Sequence, residues 1–312
     1  MLKSIVLGAN GQDGSYLCES LAARGHHVIA AGRQTAYTMR KPDGEFRYRQ
    51  VDLRDQHALR QVLTAEKPDN IFHVAAVHGE AGFRYEEVVA DLFAVSVLSV
   101  YVCLEYLRQR ERGQLFYASS AKVFGEKPQQ RITELSEKHA GSLYATAKIA
   151  AGNLIDCYRR DHGISATVAY FFNHESPRRG PDYFVPKIAR ALANGLSGNR
   201  DVVTLQSLDF FADWGSAREY MEMSAKAMEM GLDGDYVVAT GETVWAAAAV
   251  EAIFKSYKLD YRQWLRAPEV GDPAESVAFV ADPSKFTSAL GYKPRLGFPQ
   301  LVEEIVASIR QL

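Results

Sequence analysis

Cysteine is scarce in this chain. Cys18, Cys103 and Cys157 are scattered through apolar segments with no C-x-x-C pair, which excludes a disulfide framework and a cysteine-built metal site and suits buried thiols in a reducing compartment. An excess of either charge is also missing: 36 Lys and Arg face 38 Asp and Glu, a net charge of −2, so nothing in the balance favours nucleic acid or an anionic membrane surface. No apolar run is expected to approach the roughly 18–20 residues that span a bilayer. Repeats, low-complexity stretches and Gly/Ser linkers are absent as well, so any second lobe is built from insertions rather than tethered as an independent module. The expectation is a cytoplasmic protein with no metal, nucleic-acid or membrane partner. What is present is a 312-residue chain, 47 % hydrophobic, long enough for one large domain or a large and a small one.

Strand and helix patterns alternate from the start. Ser4–Leu7 is a short β-rich run closed by Gly8, Tyr16–Ala23 has helical spacing, Gly25 stops it, and His27–Ala31 is a second strand. The pattern continues with strands over Phe46–Val51, Asn70–Ala76, Leu115–Ser119 and Ala166–Phe172. Helices fall over Gln56–Ala65 and, as one long element, Tyr85–Arg108. This predicts an α/β, Rossmann-like, doubly wound parallel sheet with right-handed crossovers. From about residue 181 the alternation loosens, with Pro186, Pro268, Pro273, Pro283 and Pro294 between short elements. The expected division is a dinucleotide-binding domain over 1–172, joined by parts of about 202–240, and a smaller mixed α/β substrate-binding lid drawn from 173–312.

Gly8-Ala9-Asn10-Gly11-Gln12-Asp13-Gly14 places three glycines between the first strand and the first helix, where backbone N–H groups and the helix dipole hold a pyrophosphate. After the second strand, the acidic residue that would grip a ribose 2′-hydroxyl is missing. Gly32-Arg33 stands there, and Arg33 suits a 2′-phosphate, which favours NADP with NAD still possible; the other reading of Arg33 is an exposed surface arginine. Asp52-Leu53 is placed to meet the adenine, and Ala75 and Ala76 close the fourth strand on the same cofactor side.

Tyr144 and Lys148, four residues apart, share one helix face. A cation beside a phenol lowers its pKa, and the lysine together with a positive nicotinamide ring would let tyrosine exchange a proton near neutrality. Ser119-Ser120 closes the fifth strand, where a hydroxyl would orient a substrate oxygen. The polar octapeptide Asn173 to Gly180, directly after a buried strand, reads as a ligand loop at a carboxyl end of the sheet. His78 and Glu80, after the fourth strand, either line a sugar pocket or are solvated, whereas His73 within that strand reads as a core histidine.

These motifs resemble the extended short-chain dehydrogenase/reductases. Gly11 to Leu17 with Asn173 to Gly180 is similar to the GDP-mannose 4,6-dehydratase family in particular, as are Asp213-Trp214-Gly215, Ala239 to Glu242 and Tyr292 to Arg295. The resemblance implies that Tyr144 removes the proton of the sugar C4 hydroxyl while hydride passes to the nicotinamide, with Lys148 on the cofactor ribose and Ser120 in the place of a threonine. It also implies Asn173 on the sugar nucleotide, His174 and Arg179 on the cofactor, and Lys187 on the nucleotide base. A homodimer through helices at about 85–108 and 143–160 is the family expectation.

The chain departs from that pattern where it lacks residues. Two positions after Ser120 the family has a glutamate that takes the C5 proton; here stands Lys122, which either stabilises a developing alkoxide or pairs with Glu80 or Glu126. Ala212 and Asp272-Pro273 stand where the family has arginines for the diphosphate, with Arg218, Arg190 or Arg266 as compensating cations. The leading expectation is an NADP-dependent enzyme moving hydride at C4 of a GDP-linked sugar, by 4-keto reduction, C4 oxidation or epimerisation. Two alternatives stay open: a 4,6-dehydratase using Glu175 or Lys122 as its base, and a protein that binds dinucleotide or sugar nucleotide without turnover.

Overall fold

The computed structural model describes residues 1–79, 82–125, 131–271 and 279–310. Lys3–Leu7 (β1), Gln12–Ala23 (α1), His27–Gly32 (β2), Phe46–Gln50 (β3), Gln56–Glu66 (α2) and Asn70–His73 (β4) follow the expected alternation. Tyr85–Val88 is a 3-10 turn that runs into Val89–Phe93 (α3), a π-helical turn at Ala94–Leu98 and Ser99–Arg110 (α4). Then come Gln114–Ser120 (β5), Leu143–His162 (α5), Ser165–Phe171 (β6), Asn173–Glu175 (β7), Phe184–Ser197 (α6), Val203–Thr204 (β8), Phe211–Ser216 (β9) and Ala217–Glu229 (α7). Gly234–Val238 (β10), Thr243–Trp245 (β11), Ala246–Ser256 (α8), Leu265–Arg266 (β12), Ser284–Leu290 (α9) and Phe298–Ile309 (α10) complete the described elements.

Seven parallel strands form the main sheet in the order β10-β6-β5-β4-β1-β2-β3. Alternate side chains of each strand feed opposite faces. Ile5 and Leu7 pack with Leu59, Leu63, Leu104 and Ile155 of α2, α4 and α5, while Val6 and Val28 pack with Leu17, Leu21 and Met221 of α1 and α7. Sequence order reverses between β1 and β4, and at such a switch point the carboxyl ends of the strands open a crevice. Beyond it, β7 pairs with β9 in a separate three-stranded sheet, β11-β9-β7, and Ile188, Leu192, Trp214, Phe254 and Leu301 form a third core around it.

Four expectations are corrected. The single long helix is broken by the π turn, where the Ser99 hydroxyl donates to Val95 O at 2.6 Å. The same hydroxyl lies 2.6 Å from Nε2 of the fully buried His73, which is the core histidine expected. Second, the run Tyr85–Arg110 is, by length and composition, apolar enough to cross a membrane, because it carries core residues such as Leu92, Val100 and Leu104 and also an apolar outer face at Val89, Leu98 and Tyr101. Third, Cys157 is exposed on the outer side of α5, unlike Cys18 and Cys103. Fourth, the octapeptide is only partly loop: Asn173–Glu175 is strand, paired residue for residue with Trp214–Ser216.

Candidate active site

The glycine turn is tight for stated reasons. Gly8 has φ +97°, and a Cβ on it would sit 2.8 Å from the Ala75 backbone; a Cβ on Gly14 would sit 2.2 Å from Gly8 O. Gly11 caps α1 with no side-chain hydrogen bond, so the first-turn N–H groups face the crevice. Asn10 ties this turn to the segment after β2, donating to Ala36 O at 3.0 Å and accepting from the Thr38 N–H at 3.0 Å.

The crevice is a cavity of about 700 Å³. Gly8, Asn10, Gly11, Gln12, Asp13, Gly14, Arg33, Asp52, Leu53, Ala75 and Ala76 line one end, and His78, Ser119, Ser120, Lys122, Tyr144, Lys148, Asn173, His174, Glu175 and Arg179 line the rest. Lys187 on α6 and Arg218 on α7 stand outside this lining; the Arg218 guanidinium lies 4.7 Å over the Tyr16 ring and pairs with Glu19. Glu80, Glu126 and Asp272-Pro273 lie outside the described residues. At the cofactor end Asp52 is held by Arg54 through a bond of 2.7 Å, and Arg54 also reaches Asp91 at 2.9 Å.

Ser142 caps α5 by accepting from the Ala145 N–H at 3.2 Å, which sets Tyr144 and Lys148 one turn apart and both facing the cavity. Tyr144 is buried, its ring 4.7 Å from His78 and 5.7 Å from Tyr85. Lys148 Nζ donates to Ala118 O at 2.6 Å and lies 5.7 Å from the Tyr144 ring centre. Burial raises the phenol pKa of Tyr144, outweighing the Ser120 hydrogen bond and Arg179, and burial also brings Lys148 down to about 7.

Asp13 and His174 form an ion pair at 3.0 Å. The second ring nitrogen of His174 lies 2.8 Å from Phe172 O, a carbonyl that can only accept, so both nitrogens donate and the ring is positively charged. Burial opposes charge on both partners, yet the imidazolium holds Asp13 at about 2 and the carboxylate raises His174 above its ordinary value. With Ser176 donating to Gln12 Oε1 at 2.9 Å and Arg178 to Ser15 Oγ at 2.9 Å, the pair pins the 173–178 segment onto the first turn of α1. Burial, with the charges of Lys122, Arg179 and Lys148, keeps His78 neutral, its pKa near 3. Tyr183, over whose ring Arg179 stacks at 3.8 Å, also lines the cavity, and no motif announced it.

Lys148 carries a testable cost. A lysine that is about half protonated at pH 7 when folded but fully protonated when unfolded destabilises the fold by on the order of 4 kcal/mol at lower pH. From about pH 7 up to its ordinary value of 10.5, the unfolded chain holds the extra proton, so stability from this group rises with pH. Lys148→Met is expected to melt several degrees higher than the wild type at pH 6, with the gap closing as pH rises; calorimetry across pH 6–9 checks this, and a pH-independent gap contradicts it.

A family model described as GDP-mannose 4,6 dehydratase matches residues 5–305. The chain is 30 % identical to GDP-mannose 4,6-dehydratase of Vibrio cholerae, covering 98 % of this chain and 92 % of that one. Among solved structures, UDP-glucose 4-epimerase of Thermus thermophilus in complex with NAD superposes with a TM-score of 0.81 at 25 % identity over 99 % of each chain. RMD from Pseudomonas aeruginosa complexed with NADPH gives 0.79 at 20 % identity over 100 % of each. The parallel sheet, the glycine turn at its switch point and the Tyr-x-x-x-Lys helix define an NAD(P)-dependent extended short-chain dehydrogenase/reductase of the epimerase/dehydratase class, an enzyme that modifies sugar nucleotides. Within that class, the chain belongs to the GDP-mannose 4,6-dehydratase family.

Proposed function

We infer that the protein uses NADP to move hydride at C4 of a GDP-linked sugar, with 4-keto reduction, C4 oxidation or epimerisation as the outcome. The observation that carries this reading is the buried Tyr144, one helical turn from Lys148, in a cavity that begins at the glycine turn. The fit to a dinucleotide rests on that turn, whose three glycines leave a backbone cradle that any Cβ would fill at Gly8 or Gly14. Gly11 to Gly14 and the first turn of α1 would hold the pyrophosphate, with Arg33 at the adenosine end and Lys148 at the ribose. When bound, the nicotinamide accepts or gives the hydride.

This chain's residues supply the proton and the orientation. Tyr144 takes the proton of the C4 hydroxyl in oxidation and returns it to the carbonyl oxygen in reduction. Lys148, at about 7, is poised to charge once an anion enters, which stabilises the phenolate. Ser119, whose buried hydroxyl oxygen has no hydrogen-bond partner among the described residues, and Ser120 stand at the carboxyl end of β5 to hold the same sugar oxygen. Lys122, where the resemblance implies a glutamate, brings a cation to the sugar half. The GDP moiety follows from relatives whose names carry it. A homodimer through the apolar outer face of α3 and α4 (Val89, Leu98, Tyr101) and the neighbouring α5 fits the exposure there, and three free thiols, one exposed, suit the cytoplasm.

Preference for the phosphorylated dinucleotide is tested at Arg33, an exposed side chain whose charge reaches Asp52. Arg33→Ala is expected to weaken NADPH binding by about 10- to 100-fold, the worth of a charge-assisted hydrogen bond, and to leave NADH binding unchanged. Titration calorimetry with both cofactors reads this, and an equal loss for both contradicts the assignment.

A further inference from the structure

Among the described residues, Glu175 is the one buried acid in the cavity that the chemistry above leaves unused. It ends β7 with 5 % of its surface exposed. Arg179 is its ion-pair partner, Nε 3.5 Å from Oε2, but the contact is not a hydrogen bond: both atoms are buried and neither has a hydrogen-bond partner among the described residues. The Arg179 guanidinium also stacks over the Tyr183 ring at 3.8 Å. A buried carboxylate oxygen without a donor costs about 1–3 kcal/mol, and such an atom in a ligand cavity points to a group that a proton or a ligand completes.

Burial raises the Glu175 pKa to about 7, against the pull of Arg179 and His174 and with some help from Asp13. Both protonation forms are therefore populated at neutrality, the condition for a group that takes a proton and gives it back. The other acids lining the cavity among the described residues, Asp13, Asp52 and Asp91, each have a cationic partner. His174 holds Asp13 at about 2, and Arg54 keeps Asp52 ionised and is paired with Asp91. Among the described residues, Tyr144 and Lys148 from α5, with His78, Lys122, Arg179 and Tyr183, are further ionisable groups that line the cavity.

We propose that Glu175 is a second proton-transfer group of this site, acting on the carbon next to a sugar ketone at C4. The proposal rests on the C4 reading above. The C–H bond beside the carbonyl breaks, its proton goes to the Glu175 carboxylate, and its electron pair forms the carbon–carbon double bond of an enolate. The carbonyl π pair moves onto the oxygen, where the Tyr144 phenol meets it. Return of the proton restores the ketone, so the step needs no oxidant or reductant.

Two measurements test it on the NADP-loaded protein. With a GDP-linked 4-keto-6-deoxy sugar in D₂O, the wild type is expected to incorporate deuterium beside C4, read by mass spectrometry. Glu175→Gln is expected to slow this by about 100-fold or more, beyond any loss in its NADPH-dependent reduction of the ketone. Carbon NMR on protein labelled at the glutamate carboxyl is expected to show one resonance titrating between about pH 6 and 8 that the variant lacks. Exchange at the wild-type rate in Glu175→Gln, ketone reduction by the wild type without any exchange, or no titrating carboxyl each overturns the proposal. Protein that binds NADPH but neither reduces nor exchanges the ketone contradicts the C4 reading, and this proposal with it.

Discussion

Replacing Tyr144 with phenylalanine is expected to lower the turnover number about a thousand-fold and to leave NADPH affinity within a factor of two or so, the loss typical of a missing general acid or base. The substitution removes one oxygen and keeps the ring packed between His78 and Tyr85. The fold therefore has little reason to change, and a melting temperature close to that of the wild type is part of the expectation. The phenol carries the expectation because His78, Lys148 and Ser120, which line the cavity with it, are differently committed. His78 is neutral and bonded to Tyr85 through Nδ1, and Lys148 donates to Ala118 O. Ser120 receives the Lys122 N–H. Steady-state kinetics with a ketone substrate and NADPH reads the effect; a loss confined to KM would mean that Tyr144 binds the sugar without moving its proton.

Gly14→Ala should produce the largest structural effect of any single-methyl change in the site. The added Cβ would sit 2.2 Å from Gly8 O, 2.6 Å from Ala9 Cα and 2.7 Å from Gly8 C, all backbone atoms that cannot swing aside. Relief requires α1 to move off the glycine turn, which costs about 3 kcal/mol or more and lowers the melting temperature by roughly 6–10 °C. The same movement opens the cradle for the pyrophosphate, so NADPH affinity is expected to fall by about 100-fold or more. Gly11→Ala is the internal comparison. Its Cβ meets only Gly8 O, at 3.3 Å, so its effect on melting is expected to be much smaller. Equal effects at the two positions would mean that the turn is not the rigid element described here.

The sheet and the glycine cradle were legible because both are local signals. Alternating apolar runs, glycines spaced three apart and a tyrosine and lysine four apart on a helix state their geometry without reference to the rest of the chain. What stayed hidden depends on contacts far apart in sequence. Asp13 and His174 are 161 residues apart, and nothing near either announces the ion pair that ties the cofactor turn to β7. Tyr183 and Tyr85 join the site through aromatic contacts made only after folding. The helical spacing of Tyr144 and Lys148 shows that the two groups are neighbours, but the amount of water removed from both is a tertiary quantity, and burial opposes charge on each. The π turn at Ala94–Leu98 was equally out of reach, because Ser99 is committed there by a buried histidine 26 residues upstream.

The measurement that bears most directly on hydride transfer at C4 is isotopic. NADPH carrying deuterium at the transferable nicotinamide position, incubated with the wild type and a GDP-linked 4-keto-6-deoxy sugar, is expected to deliver one deuterium to sugar C4, and Tyr144→Phe is expected to slow that delivery by about the same thousand-fold. Wild-type protein that binds both ligands and leaves every sugar carbon unlabelled would contradict the account.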